Sequence, residues 1–405
     1  MRFAYFARPH IGGTYSVFKQ LRHGLAPSGI DVRWLSTGRA DVESDERWRT
    51  ECAIGDALDP QGRLGEKERA ALLVQFIERN DIAGVFINVL ADRLETNIAR
   101  YLPPHVLRLM IVHTITPATY AAAAAIRDHV HATVGVSPRC RSDLVSQFGF
   151  PPEHTFSIAN AMDFENRAIK AREKPAAHPL RLLFLGRVED MSKGVLWLPR
   201  IMEHLPPTVT LTIAGDGPDL PRLRQQLSPL GSRAVLAGAV AHEKIGDLFS
   251  RHDILIMPSR FEGFGMSLIE AMAAGCVPVA SRIRGVTDMI IDHGIDGMLF
   301  PIGNCRQAAC HIRQLHDNPA LLSELSEAAI RKVADNFTAT RMAASYADLI
   351  VRVKANPPEL PAPLPLDDWR LPAGLRTSLR TYLPQPVKNW LRLVQERLHA
   401  AAPST

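Results

Sequence analysis

Residues 260–281 read RFEGFGMSLIEAMAAGCVPVAS. The preceding HDILIMP (252–258) is a short apolar run ended by Pro258, as a buried parallel strand would be. MSLIEAMAA (266–274) is rich in helix formers and is closed by Gly275, a residue typical just past a helix end. CVPVAS (276–281) reads as the next strand. The stretch is therefore strand, glycine loop, helix, glycine, strand. A glycine loop that opens a helix presents free N–H groups and the positive end of the helix dipole, which suits a phosphate. Glu270 falls in the first turns of that helix, where a carboxylate would repel phosphate and should face neutral ribose hydroxyls. Glu262, on the strand side, could receive other hydroxyls. The alternative is two solvated glutamates beside an ordinary turn.

Working outward, the same alternation recurs on both sides. Strands are predicted at 2–7, 31–36, 82–90, 108–114 and 131–137, with a helix near 66–79. The polar segment NRAIKAREKPAAHP (166–179) reads as a linker. The alternation then restarts with strands at 181–187, 208–215, 233–238, 252–258 and 276–281. Two parallel sheets, each covered on both faces, follow. The boundaries expected are an N-terminal domain over 1–165, a linker over 166–179, a second domain over 180–350 and a tail over 351–405. Ligands of such sheets bind beyond the carboxyl ends of the strands, where the glycine loops lie.

Three further loops carry candidate chemistry. HIGGTYS (10–16) places Gly12 and Gly13 after the first strand, a weak signal alone because such a pair is often only a turn. It is not a dinucleotide fingerprint. GRVEDMSKG (186–194) puts Gly186 and Arg187 at a strand end, with Lys193 expected to open a helix. Two cations there can bracket a diphosphate, or be a solvated pair. AGDGP (214–218) carries Gly215 in another strand-to-helix turn.

Composition narrows the classes. The 405 residues are 46% hydrophobic and 22% charged, ordinary for two globular domains. No apolar run approaches the ~20 residues that span a bilayer, and the start is too short and polar for a secretory signal. The five scattered cysteines fit a reducing cytoplasm rather than a disulfide or zinc scaffold. No D-x-D pair occurs, and no metal site is expected. The net charge of +5 resides in residues 370–405, so nucleic acid is not an expected partner. There, two apolar stripes have helical spacing: Leu375, Leu379 and Tyr382, then Val387, Trp390, Leu391, Val394 and Leu398. A basic border makes them candidates for an anionic membrane surface; packing against the N-terminal domain is the alternative.

The set GRVEDMSKG, TIAGDGP, VLAGAV and PSRFEGFGMSLIEAMAAGCVPVAS, in this order and spacing, resembles the retaining nucleotide-sugar glycosyltransferases of family four. The likeness is strong across roughly 180–345 and looser across 1–165. It implies the α/β GT-B architecture, two doubly wound Rossmann-like domains facing across a cleft, here with a C-terminal helical tail. It further implies that Arg187 and Lys193 hold the donor diphosphate and stabilise the leaving group. Gly263, Phe264, Gly265, Met266 and Ser267 would contact donor sugar and phosphate through backbone N–H groups. Glu262 would accept from sugar hydroxyls and Glu270 from ribose. Gly13 would let its loop approach the phosphates. His113, ending the strand in IVHT, matches a histidine near the sugar, although a core histidine bonded to backbone is the alternative.

The expectation is a metal-independent, retaining hexosyl- or related transferase in glycan, polysaccharide or glycolipid biosynthesis. It would use a UDP-, GDP- or ADP-sugar, no cofactor beyond that co-substrate, and a carbohydrate or lipid-linked acceptor. It would be cytoplasmic, with peripheral contact at the inner face of the membrane through the tail. Alternatives are a GT-B epimerase or phosphorylase, or a non-catalytic sugar-nucleotide binder. Two segments depart from the family pattern: Arg284–Gly285–Val286–Thr287–Asp288 replaces G-G-x-P-E, and Asn160–Ala161–Met162–Asp163 replaces N-G-V-D.

Overall fold

The computed structural model describes residues 1–10, 12–38, 49–162 and 179–376. The described residues fall into two compact units, one within 1–161 together with 339–376 and the other within 162–338.

The N-terminal unit is built on a seven-stranded parallel sheet ordered β3-β2-β1-β4-β5-β6-β7. Its strands are β1 (Arg2–Phe6), β2 (Asp31–Ser36), β3 (Gly55–Ala57), β4 (Ile82–Asn88), β5 (Leu107–Val112), β6 (Ala132–Gly135) and β7 (Thr155–Ser157). The other unit has a six-stranded parallel sheet ordered β10-β9-β8-β11-β12-β13. Its strands are β8 (Arg181–Leu185), β9 (Thr210–Ala214), β10 (Ala234–Gly238), β11 (Ile254–Met257), β12 (Val277–Ser281) and β13 (Met298–Phe300). Central strands such as β5 and β12 are buried at every residue, which is why they read as continuous apolar runs rather than alternating ones. In both sheets the strand order reverses beside the first strand, between β1 and β4 and between β8 and β11. The carboxyl ends at such a reversal form the natural ligand crevice of a doubly wound sheet.

The second boundary differs from expectation. Helix Ala339–Ala355 belongs to the N-terminal unit, not to the second domain. It buries Met342, Ala343, Tyr346, Leu349, Ile350 and Val353. Tyr346 meets Phe86 edge-on at 5.8 Å. Gly24 makes the fit possible, since a Cβ there would lie 2.4 Å from that of Ala343. The proline-rich run then crosses the same unit. Leu364 N–H donates to Arg100 O (2.9 Å), and Trp369 lies on Tyr101 with ring centres 4.6 Å apart. Leu375 is only 1% exposed, so it is a packing residue rather than part of a surface stripe. The rest of the basic tail lies outside the described residues, as does the expected linker apart from Pro179. Among the described residues no helix is long and apolar enough to cross a membrane.

Candidate active site

The crevice end of the C-terminal unit gathers most of the expected site. The loop after β8 and the loop after β9 run backbone to backbone: Gly186 N–H donates to Ala214 O (3.0 Å) and Val188 N–H to Asp216 O (2.8 Å). Gly215, at φ +146°, is required for this, since a Cβ would sit 1.8 Å from Gly186 O. Lys193 closes a one-turn helix, Asp190–Lys193, rather than opening one. Gly194 stops the turn in the left-handed conformation (φ +61°), hard against Pro258 O.

Lys193 Nζ thereby reaches Glu262 Oε1 at 2.6 Å. Ser259 Oγ, fully buried, donates to the same oxygen at 2.7 Å. Among the described residues no donor reaches Oε2, the carboxylate's second oxygen. Glu262 is largely buried and Lys193 about a quarter exposed, so the pair is shielded yet open on one side.

Arg260 fixes the two loops relative to each other. Its N–H donates to Ser192 O (2.8 Å), its Nε to Asp190 O (2.8 Å) and its Nη2 to Asp190 Oδ2 (2.7 Å). Its guanidinium lies 3.8 Å from the ring centre of Trp197. Asp190 Oδ1 also accepts from Leu196 N–H (3.0 Å). Arg187 stands apart: its side chain is 68% exposed and pairs loosely with Glu189 at 3.8 Å.

The loop Gly263–Gly265 leads into helix Met266–Ala273, whose N-terminus is Gly265 at φ +109° with no side-chain cap. The first-turn N–H groups of Met266 and Ser267 are thus presented as an anion site would present them. Phe264 is 3% exposed and packs edge-on against Phe337 (5.9 Å), so its side chain anchors the loop. Glu270 sits on the helix, half-buried. Beyond β12, the departing segment satisfies itself: Thr287 Oγ1 bonds Ser281 O (2.7 Å) and Ile283 N–H (2.7 Å), and Asp288 accepts from Gly285 N–H.

In the N-terminal unit, Gly12 lies just before helix Gly13–Leu25, in extended backbone with no side-chain cap. His113, just past β5, is half-buried, and its Nε2 is 2.7 Å from Asn88 Oδ1. It bonds a side chain rather than backbone. Burial pushes its imidazole down to about 4, so it is neutral near pH 7. Among the described residues no group of three His, Cys, Asp or Glu could hold a metal.

Asn88, Ser259 and Arg260 escaped the sequence reading. Ser259 and Arg260 were within reach, because they flank Glu262 in PSRFEG.

With this geometry in place, residues 179–318 match the family described as Glycosyl transferases group 1. That match covers about a third of the chain and lies within the C-terminal unit. Glycogen synthase of Mycobacterium tuberculosis is 30% identical over 222 residues, 53% of this chain and 52% of that protein. Alpha-D-kanosaminyltransferase of Streptomyces kanamyceticus is 27% identical over 248 residues, 58% and 63% of the two chains. The chain therefore spans about half the length of the first of these relatives and under two thirds of the second. Among solved structures, Anabaena HepE in complex with UDP and glucose superposes with a TM-score of 0.70 at 19% identity, covering 87% of this chain and 100% of that one. Sucrose-phosphate synthase from Thermosynechococcus elongatus gives 0.72 at 19% identity, covering 87% and 99%. The fold is GT-B, and residues 179–318 contain Lys193, Glu262 and the other candidate donor-site residues described above for the C-terminal unit.

Proposed function

We propose that this protein transfers a sugar from a nucleoside-diphosphate sugar to an acceptor hydroxyl, with retention and without a metal, in glycan, polysaccharide or glycolipid biosynthesis. The observation that carries the reading is the Lys193–Glu262 pair beside an uncapped helix N-terminus. Departure of a nucleoside diphosphate concentrates negative charge on the leaving oxygen. A fixed ammonium and the first-turn N–H groups of Met266 and Ser267 would stabilise that charge, with no reorganisation at the moment of reaction. Arg187 is free to swing onto the outer phosphate, since only a loose surface pair holds it. Glu262 Oε2 is the acceptor for a sugar hydroxyl, while Lys193 and Ser259 hold Oε1. Glu270 takes the ribose hydroxyls. His113 and the Gly12–Gly13 turn are the N-terminal unit's contribution to substrate recognition.

The Anabaena HepE structure holds UDP and glucose, so UDP-glucose is the first donor to test here. Purified protein is assayed for nucleoside-diphosphate release from UDP-, GDP- and ADP-sugars, with and without carbohydrate or lipid acceptors, with and without EDTA. Acceptor-dependent release that survives EDTA, with an α-linked product from an α-linked donor, is expected. A β-linked product would overturn retention, and loss of activity in EDTA restored by Mg²⁺ would overturn the cation account. Binding of nucleotide sugar with no turnover would favour a non-catalytic binder. We further propose that the protein is cytoplasmic and that its tail contacts an anionic membrane. Co-sedimentation with anionic vesicles should fall when the chain ends at Arg376, and equal sedimentation of both chains would remove the tail from that role.

A further inference from the structure

We propose that Asn88 is a positioning residue that holds His113 as the Nε2–H tautomer, leaving Nδ1 to accept a hydrogen bond from a sugar hydroxyl. The inference rests on the glycosyl-transfer reading for the identity of the ligand, but not for the tautomer.

The geometry fixes the proton by elimination. Asn88 is the last residue of β4 and is 1% exposed. Its Nδ2 donates to the carbonyl of Phe6, the last residue of β1, at 2.8 Å. A carbonyl can only accept, so the amide cannot be flipped without setting two acceptors face to face. The Tyr5 hydroxyl, close by, gives its proton to Thr14 O (3.1 Å). Oδ1 therefore points at His113, and it too can only accept. The ring atom 2.7 Å away, Nε2, must carry the hydrogen. Because burial keeps the ring singly protonated at neutral pH, Nδ1 bears a lone pair. Among the described residues no donor reaches Nδ1, and the side chain is only half-buried. His113 stands just past β5, and Asn88 ends β4 beside the strand-order reversal, at the crevice end of this sheet. A lone pair there selects a donor. A phosphate oxygen or a carbonyl would be repelled; a hydroxyl fits. The hydroxyl can belong to the sugar of the nucleotide donor or to a carbohydrate acceptor.

Long-range ¹H–¹⁵N spectra of the full chain, with His113 assigned by loss of its signals in His113→Gln, read the tautomer directly. The expected spectrum at pH 7 has Nδ1 unprotonated and Nε2 protonated. A protonated Nδ1 in the wild type overturns the proposal without any variant having to fold. Asn88→Ala should give mixed tautomers and a roughly 10-fold loss in kcat/KM, the size of one neutral hydrogen bond. An unchanged tautomer in Asn88→Ala would also overturn it. Adding UDP-glucose should shift Nδ1 in the direction of an accepted hydrogen bond; if only free carbohydrates do so, the hydroxyl belongs to the acceptor. Binding of both classes with no Nδ1 shift removes the hydroxyl from the proposal. Failure of every nucleotide sugar to bind, with the expected tautomer present, counts against the glycosyl-transfer reading instead.

Discussion

The two sheets share a strand order but equip their crevice ends with opposite chemistry. In the C-terminal unit the loops past β8 and β11 are joined by ions: Lys193 to Glu262 at 2.6 Å, Arg260 to Asp190 at 2.7 Å. In the N-terminal unit burial biases the groups at the corresponding end toward their neutral forms. His113 is held by an amide, and Glu95 is buried with its carboxyl pushed up to about 7. The difference teaches what each end is built to meet. A diphosphate needs fixed positive charge that does not collapse onto it, and that requires counter-ions to hold the cations in place. Sugar hydroxyls need single, directional partners, and a net charge would add little beyond desolvation cost.

The sharpest way to break the comparison is to remove one group from each end. Lys193→Ala should lower kcat by about 10²–10³-fold, with Arg187→Ala at about 10²-fold, because under the proposed reaction each would remove a positive charge that stabilises the leaving group. His113→Ala should cost only about 10-fold, the loss of one neutral hydrogen bond. Steady-state kinetics on the three variants, each checked for an intact thermal transition, decide it. Equal losses at His113 and Lys193 would mean that the two ends do not divide charge from hydroxyl as argued.

A smaller effect tests whether the ionic network does more than stabilise. Arg260→Met keeps the stem over Trp197 but leaves Asp190 without its guanidinium. Breaking such a shielded pair should cost about 3 kcal/mol of unfolding free energy, lowering the transition of this unit by several degrees. Because the Arg260 side chain also ties the Asp190 carbonyl to the Glu262 loop, kcat should fall about 10-fold. A lower transition with unchanged kcat would reduce Arg260 to a packing residue.

The same contrast explains what the sequence made legible. Glu262, Gly265, Glu270 and Lys193 could be found because a backbone turn and a helix start impose glycine at fixed offsets, and the charged groups ride on those offsets. Asn88 pairs with a residue 25 positions on and with a carbonyl 82 positions back, so no spacing could betray it. The strands fell where continuous apolar runs predicted them, whereas β3, β7 and β13 were missed: three residues carry no periodicity. Helix Ala339–Ala355 was given to the wrong unit because its apolar stripe fits either core on paper. The choice was made by the absent side chain of Gly24, more than three hundred residues earlier.

The smallest effect expected concerns Glu95, and it asks whether the N-terminal crevice end is as free of charge as the comparison holds. Glu95 is 3% exposed, and its Oε1 accepts from Thr37 N–H at 2.8 Å, pinning the chain just past β2. Burial first, and the nearby Asp92 carboxylate second, raise it from the ordinary 4.5 to about 7. Between those values the folded chain holds a proton that the unfolded chain has released. Stability therefore falls as pH rises through this window, and the deficit persists above it. Glu95→Gln mimics the protonated form at every pH and can still accept from Thr37. The variant should match the wild type near pH 5 and exceed it near pH 8 by on the order of 2 kcal/mol. Denaturant unfolding of both proteins at the two pH values measures this. A difference that does not change with pH would mean that Glu95 ionises in its usual range, and that this end of the sheet carries a buried charge after all.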